Sequence, residues 1–436
     1  MKDIFTSYFA QAIILLANFV GGVLAARLLL PVGRGELGQV MLWPMLIAAL
    51  GSFSINDSII YFIASQRAEA ARVIASALAI GAILSLILVL GGLAALPRLY
   101  SGTSPEVRSI ADLFLLFIPL SYASGYLVCA FQADRRFALW NFLRVLVSCA
   151  YAGFAVAFWL ADEATVLAFA SAALLANLIV CATAVVLLLR IGEFGLRPDV
   201  RLMKRMIGYG APLHVGTMLA LANQRLDQIL VTQWLPAAQF GYYLVAISVY
   251  LSATGLVTLL GSLLFPEVAA AADDAARAAA MGRYLRLALA LSLGGGLLLL
   301  ILAPWLIILI YGKAYHPTVA AAQVFAIGIA PTACKSLLGQ AFKAVGRPRT
   351  IVAAEFAALV MVAIGLVLLL RPFGILGAAT AFVLAQTSGF AVLAVEVRRQ
   401  LGVAPLALFT PSTSDISFVA RRLKDMVGPG QEPGAS

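Results

Sequence analysis

Twelve long apolar stretches constrain this chain more than any other feature. They fall at residues 4–28, 37–63, 73–96, 110–132, 139–160, 164–189, 208–234, 240–266, 284–311, 318–342, 350–370 and 374–396. A helix needs about 20 such residues to cross roughly 30 Å of hydrocarbon. Lipid offers the backbone no hydrogen bonds, so only helices and closed barrels span it. These runs do not alternate polar with apolar residues, which predicts helices. Composition leaves no soluble alternative: 63% of the 436 residues are apolar and 11% charged, against roughly 45–50% and about 25% in soluble domains. A water-soluble protein of this size lacks the polar material to cover its surface, and disordered, collagenous and disulfide-rich classes fall with it. The expected fold is all-α and integral to the membrane.

The connections are short and marked by Pro, Gly and charge, as at Pro31–Glu36, Pro97–Pro105, Pro236–Gln239 and Gly346–Arg349. None is long enough to fold as an extramembrane domain. With both termini in the cytoplasm, the inner loops hold Arg67, Arg72, Arg135, Arg136, the Arg190–Arg205 group, Arg277, Arg283, Arg286, Lys343, Arg347 and Arg349. The outer side holds only Arg27, Arg34, Arg98, Arg108, Lys313 and Arg371. That asymmetry puts both ends inside. The N-terminus carries Lys2 and then an apolar run without a cleavage signal, and reads as the first span. Cys129, Cys149, Cys181 and Cys334 lie singly in apolar runs, and His214 and His316 are the only histidines. No disulfide framework, metal centre or cofactor is expected.

Two segments read as lying along the membrane surface. One is Val268–Arg283, Ala-rich and interrupted by Asp273, Asp274 and Arg277. The other is in the tail, where Ile416, Val419, Leu423 and Met426 recur at helical spacing among Arg421, Arg422 and Lys424; this suits an interfacial helix on anionic lipid, or equally a polar tail.

The chain also repeats itself. Leu16-Ala17-Asn18 with Leu30-Pro31 recurs as Leu221-Ala222-Asn223 with Leu235-Pro236. Ala130-Phe131-x-Ala133-x-x-Arg136 recurs as Ala341-Phe342-x-Ala344-x-x-Arg347. The expected organisation is a six-helix lobe at 1–200, a second at 201–400 and a cytoplasmic tail at 401–436. Six spans return the chain to its starting side, so the halves form a parallel repeat about an axis along the membrane normal. Two such lobes leave a central cleft, which is transporter architecture.

Charges inside spans cost roughly 2.5–3.5 kcal/mol each at a helix centre, so they are functional candidates. Arg225 lies about 13 Å from the end of span seven, and Lys335 about 12 Å from Lys343; neither reaches water easily. Arg27 and Arg144 sit nearer span ends, where snorkelling competes with function. Span seven carries a polar stripe through His214, Met218, Leu221, Arg225, Gln228 and Thr232. Asp227 lies on another face from Arg225; it reads either as a functional acid or as the partner of a basic group on a neighbouring helix. Asp57, beside Asn56 in span two, suits a coupling cation or a bond from Arg67 or Arg144. Ser7, Gln11, Asn18 and Gly22 give span one a polar side. Glu355, one turn into span eleven, is intermediate between a solvated and a buried acid. Phosphate-loop, zinc-protease and serine-hydrolase motifs are missing, and the pairs Asp162-Glu163 and Asp273-Asp274 read as solvated charge. No enzymatic activity is expected.

Arg225-Leu226-Asp227-Gln228-Ile229-Leu230-Val231 followed by Gly241-Tyr242-Tyr243-x-x-Ala246 resembles the polysaccharide (Wzx-like) flippase family of the multidrug/oligosaccharidyl-lipid/polysaccharide exporter superfamily. Gly208-Tyr209-Gly210-Ala211-Pro212, Phe265-Pro266, Tyr311-Gly312-x-x-Tyr315, Gly346-Arg347-Pro348 and Phe373-Gly374-Ile375-x-Gly377-Ala378-Ala379 are similar too. The resemblance implies twelve transmembrane helices in two six-helix lobes around a cationic central cleft. It implies outward flipping of a polyprenyl-diphosphate-linked oligosaccharide (an O-antigen, capsule or exopolysaccharide repeat unit) across a bacterial inner membrane, driven by an ion gradient or the membrane potential. Arg225 and Lys335 fit diphosphate ligands, with Arg27, Arg144, Gln228 and Asn18 as further cleft residues and Asp227 and Asp57 as ion-coupling or structural acids. The partners implied are that substrate, membrane lipids and polysaccharide assembly proteins, with no nucleic acid. A multidrug/cation antiporter would want acids dominating the cleft, and a polysaccharide polymerase or ligase would want a large outer loop. A passive scramblase or structural subunit is compatible with the same sequence.

Overall fold

The computed structural model describes residues 2–65, 70–100, 102–195, 197–271 and 273–401. Arg67 and the tail segment around Ile416–Met426 lie outside them. Among the described residues the chain is helical throughout: α1 (Lys2–Leu50), α2 (Ile55–Ser65), α3 (Ala70–Leu99), α4 (Pro105–Phe114), α5 (Phe117–Ala133), α6 (Phe137–Ala161), α7 (Val166–Arg190), α8 (Val200–Trp234), α9 (Ala237–Ala270), α10 (Asp274–Tyr311), α11 (Thr318–Ala344) and α12 (Pro348–Leu401). As straight rods α1 and α12 would be about 73 and 81 Å long at 1.5 Å per residue, nearly twice a bilayer. Each is instead broken once, at Leu30 (φ 58°) and at Gly374 (φ 56°). Each therefore supplies two passes. With α2 completing the second pass and α4 and α5 forming one, the helices make twelve.

The break at Leu30 removes the loop expected over Pro31–Glu36. A residue before proline is pushed out of the helical region, while proline itself suits the first helical position. Leu30 therefore takes the strain, Pro31 opens a new helix, and Arg34 and Glu36 become helical. Leu235 before Pro236 also leaves the helical region between α8 and α9, but as ordinary extended backbone (φ −121°, ψ 154°).

Span two is discontinuous at 51–54, where Phe53 (φ 47°) and Ser54 (φ 48°) are left-handed. A helix end leaves four carbonyls without intrahelical donors, and all four here are satisfied. Gly51 N donates to Ile47 O (3.1 Å) and Ser52 N to Ala49 O (3.4 Å). Tyr122 Oη donates to Ala48 O (2.6 Å), and His214 Nε2 of α8 to Leu50 O (2.9 Å). His214 also stacks on Phe53, centroids 5.7 Å apart. At the same break Gly210 lies so close that a Cβ would come within 2.3 Å of Phe53 O.

The sequence repeat has a backbone counterpart. α5 ends with Arg136 N on Phe131 O (2.9 Å) and Asp134 N on Ala130 O (3.0 Å); α11 ends with Arg347 N on Phe342 O (2.9 Å) and Val345 N on Ala341 O (3.0 Å). The left-handed residues are Arg135 (φ 58°) and Gly346 (φ 75°). Both ends thus carry the 6→1 bond of the Schellman cap.

The expected surface helix over Val268–Arg283 is not formed as one element. α9 runs to Ala270, the chain turns, and α10 starts at Asp274. Asp273 causes the division: its carboxylate accepts from Ala276 N at 2.7 Å, the bond of an N-cap. Arg283 and Tyr284 then hold Glu267 at 2.6 and 2.9 Å.

The helices form two compact units. Among the described residues one comprises 2–245 and 305–318, the other 246–304 and 319–401. The first has its core on Ile59, Ile74, Phe114, Phe131 and Phe169. The second is built partly on Leu264, Met281, Leu285, Leu337 and Leu338. Within the first unit α1 and α9 cross at backbone contact: a Cβ on Gly35 would meet Ala237 O at 1.8 Å, and one on Gly241 would meet Pro31 O at 2.0 Å.

Gly241→Val is expected to lose about 1–3 kcal/mol or more to overpacking, read as a lower Tm in detergent, whereas Gly91→Ala, which meets nothing within 4 Å, stays at wild-type stability. His214→Ala, which leaves the Leu50 carbonyl without its donor, is expected to cost about 1–3 kcal/mol by the same measurement, with His214→Gln recovering part of it.

Candidate functional site

A cavity of about 220 Å³ lies in the first unit between the second half of α1, α8 and the start of α9. Its walls are apolar on Met41, Met45, Leu46, Leu221, Phe240 and Leu244, and its polar groups are Arg34, Arg225 and Gln228. Two features of sequence place them. The helix opened by Pro31 carries Arg34, Gly38, Met41, Leu42 and Met45 at steps of three and four. On α8, Leu221, Arg225 and Gln228 follow the same helical spacing.

Arg225 Nη1 donates to Gln228 Oε1 at 2.8 Å. The amide fixes one edge of the guanidinium. Arg34 Nε is shielded from solvent with no hydrogen-bond partner among the described residues. An orphaned buried donor is uncommon in a native protein. Two guanidiniums beside an apolar wall suit a small anionic group, since the planar fork matches phosphate oxygens two at a time. The volume falls below the roughly 300–1,000 Å³ of pockets enclosing drug-sized ligands, so this is space for a headgroup and not for an oligosaccharide.

Asp227 does not line this cavity, although its carboxylate acts electrostatically on Arg225. It is 1% exposed, accepts a short hydrogen bond from Tyr243 Oη and another from Gln228 N at 2.8 Å. The partner reached across helices is a tyrosine hydroxyl on α9, not the basic group weighed from sequence.

Of the other candidates, Arg27 is exposed and directs Nε to Ile310 O (2.6 Å) and Nη2 to Leu309 O. It closes the last turn of α10, where carbonyls lack donors. Arg144 donates to Gln11 Oε1 (2.8 Å) and sits 4.4 Å over the Trp140 ring; beside it Asn141 donates to Ser7 Oγ (2.9 Å). The polar side of span one is thus partly consumed by α6, leaving Asn18 exposed. Asp57 is exposed in the first turn of α2. Lys335, in the second unit, bonds Glu355 at 2.9 Å and Gln386 at 3.3 Å. The structure therefore brings Arg225 and Gln228 together and adds Arg34. That residue is absent from the sequence candidates because its segment reads as a loop. Its signal was present in Pro31, which starts a helix at least as readily as it ends one.

The model of the polysaccharide biosynthesis protein family matches residues 1–272. No curated protein sequence matches the chain. Among solved structures, the chain superposes on lipid II flippase MurJ in an inward closed conformation with a TM-score of 0.77 at 14% identity, covering 97% of this chain and 96% of that one. An inward-facing multidrug resistance MATE family transporter of the MOP superfamily gives 0.72 at 14% identity, with 89% and 94% covered. The eukaryotic MATE transporter AtDTX14 gives 0.62 at 12%, with 93% and 99% covered. At such identities the likeness establishes the twelve-span fold of these transporters. The sequence match establishes kinship, and the chain belongs to the polysaccharide biosynthesis protein family.

Proposed function

We propose that this protein is a flippase carrying a polyprenyl-diphosphate-linked oligosaccharide from the inner to the outer leaflet of a bacterial cytoplasmic membrane, by alternating access between two lobes. The observation that carries this reading is the pairing of Arg34 with Arg225 and Gln228 around one apolar-walled cavity. A lipid diphosphate needs a basic recess for its headgroup while its tail stays in lipid. Membership of the family and the shared fold support a lipid-linked substrate. A cation antiporter is less well served, because the cavity presents guanidiniums while Asp227 is engaged by Tyr243.

Outward transfer of an anion toward the positive side of the membrane gains about 2.3 kcal/mol per charge per 100 mV. The potential is thus a sufficient driving force if the carrier returns without equivalent charge. The excess of Lys and Arg in one set of loops supports a topology with both termini in the cytoplasm. Membrane lipids and the proteins that assemble the polysaccharide are its natural neighbours.

A charge-assisted hydrogen bond contributes about 1.5–3 kcal/mol, or roughly 10–100-fold in affinity. Arg34→Ala and Arg225→Ala are each expected to lower flipping by that factor in vesicles at limiting lipid-linked glycan, with Arg225→Lys intermediate. Wild-type rates in both alanine variants would remove the cavity from the mechanism. For orientation, a fluorescent-protein fusion after Arg399 is expected to light up, and an alkaline phosphatase inserted at Lys313 to be active. The opposite pattern would invert the topology.

A further inference from the structure

A polar cluster on α11 and α12 in the second unit has no task in the transport reading. Lys335 of α11 directs Nζ at both carboxylate oxygens of Glu355, 2.9 Å to Oε1 and 3.0 Å to Oε2, and at Gln386 Oε1, 3.3 Å away. The Lys335 side chain is 11% exposed and that of Glu355 29%. Glu355 and Gln386 come from the two halves of α12, either side of its break at Gly374. One turn beyond Gln386, Gly389 leaves room for the lysine stem: a Cβ there would lie 3.1 Å from both Cδ and Cε of Lys335.

Three oxygens, one pair from a carboxylate and one from an amide, converge on a single positive point. Carboxylate and carbonyl oxygens are the ligands that suit hard cations, and with one formal negative charge this set balances a monovalent one. Here the cation is an ammonium tethered by four methylenes. A simple ion pair would not need the amide. A half-buried ion pair gains little net stability once desolvation and side-chain ordering are counted, so stability alone is a poor reason for the arrangement.

We propose that Glu355 and Gln386 form a monovalent-cation site whose permanent occupant is the chain's own Lys335 ammonium. A free cation bound at such a site can leave once per cycle and so couple transport to its gradient. A tethered one cannot, and the site excludes Na⁺ and K⁺ from this position. The inference does not depend on which substrate is carried.

The test measures Tm of the full-length protein in nanodiscs, with Na⁺, K⁺ or N-methylglucamine as the cation at equal ionic strength. Wild-type protein is expected to melt at one temperature in all three. Lys335→Ala and Lys335→Gln are expected to gain stability in Na⁺ or K⁺, saturably and on the order of 2–4 °C. Adding Glu355→Gln to either is expected to abolish the gain. If the single variants are too unstable to purify without alkali cation, their yield is expected to rise when they are extracted in Na⁺ or K⁺. Equal melting or equal failure of both variants in all three salts overturns the proposal. So does a cation response in wild type, or one that survives Glu355→Gln. Flipping assays on Arg34 and Arg225 variants test the transport reading separately.

Discussion

Hydrocarbon does not solvate a backbone, and several polar residues of this chain answer to that constraint. Wherever a helix breaks or ends, carbonyls are left without donors, each costing several kcal/mol in lipid unless something reaches them. At several of these places side chains reach them. Tyr122 and His214 close the end of the first long helix inside span two. Arg27 closes the end of α10, and Tyr315 donates to Ala26 O at 2.9 Å. Residues that look like a substrate path when spelled out in sequence are, in several cases, what permits the helices to be discontinuous at all.

The same constraint explains the motifs that signal the family. Gly241 sits at backbone contact with α1, and Tyr243 anchors Asp227. Tyr242 offers its carbonyl to Thr318 at 3.4 Å. Gly312 (φ 99°), Gly346 (φ 75°) and Gly374 (φ 56°) are all left-handed, and Gly377 lies where a Cβ would come within 2.0 Å of Leu369 O. These positions are spent on turns and close crossings. They mark a shared fold more directly than a shared substrate, which is why the resemblance carries architecture better than binding residues.

What remains after the backbone is satisfied is small and chemically distinct. In the first unit an arginine pair and an amide line an apolar cavity. In the second, a lysine is matched by a carboxylate and an amide. Arg225 and Lys335 look alike in sequence, each a lone basic residue deep in a span. Their partners separate them: Arg225 faces a neutral amide that orients it, Lys335 an acid that neutralises it.

The sequence by itself determined the class of fold, the number of passes and the face of α8 that carries Arg225 and Gln228. Those follow from the length of apolar runs and the helical period, both local properties. It also located most helix ends, because proline, glycine and a capping Asp act within one turn. Tertiary structure decided which intramembrane charges are engaged. Arg27 found carbonyls nearly three hundred residues away in sequence, Arg144 found Gln11, and Lys335 found Glu355. It also moved Arg34 from an expected loop into a cavity wall. Those outcomes depend on which helices lie side by side, and a desolvated charge takes whichever partner that packing brings within hydrogen-bond reach.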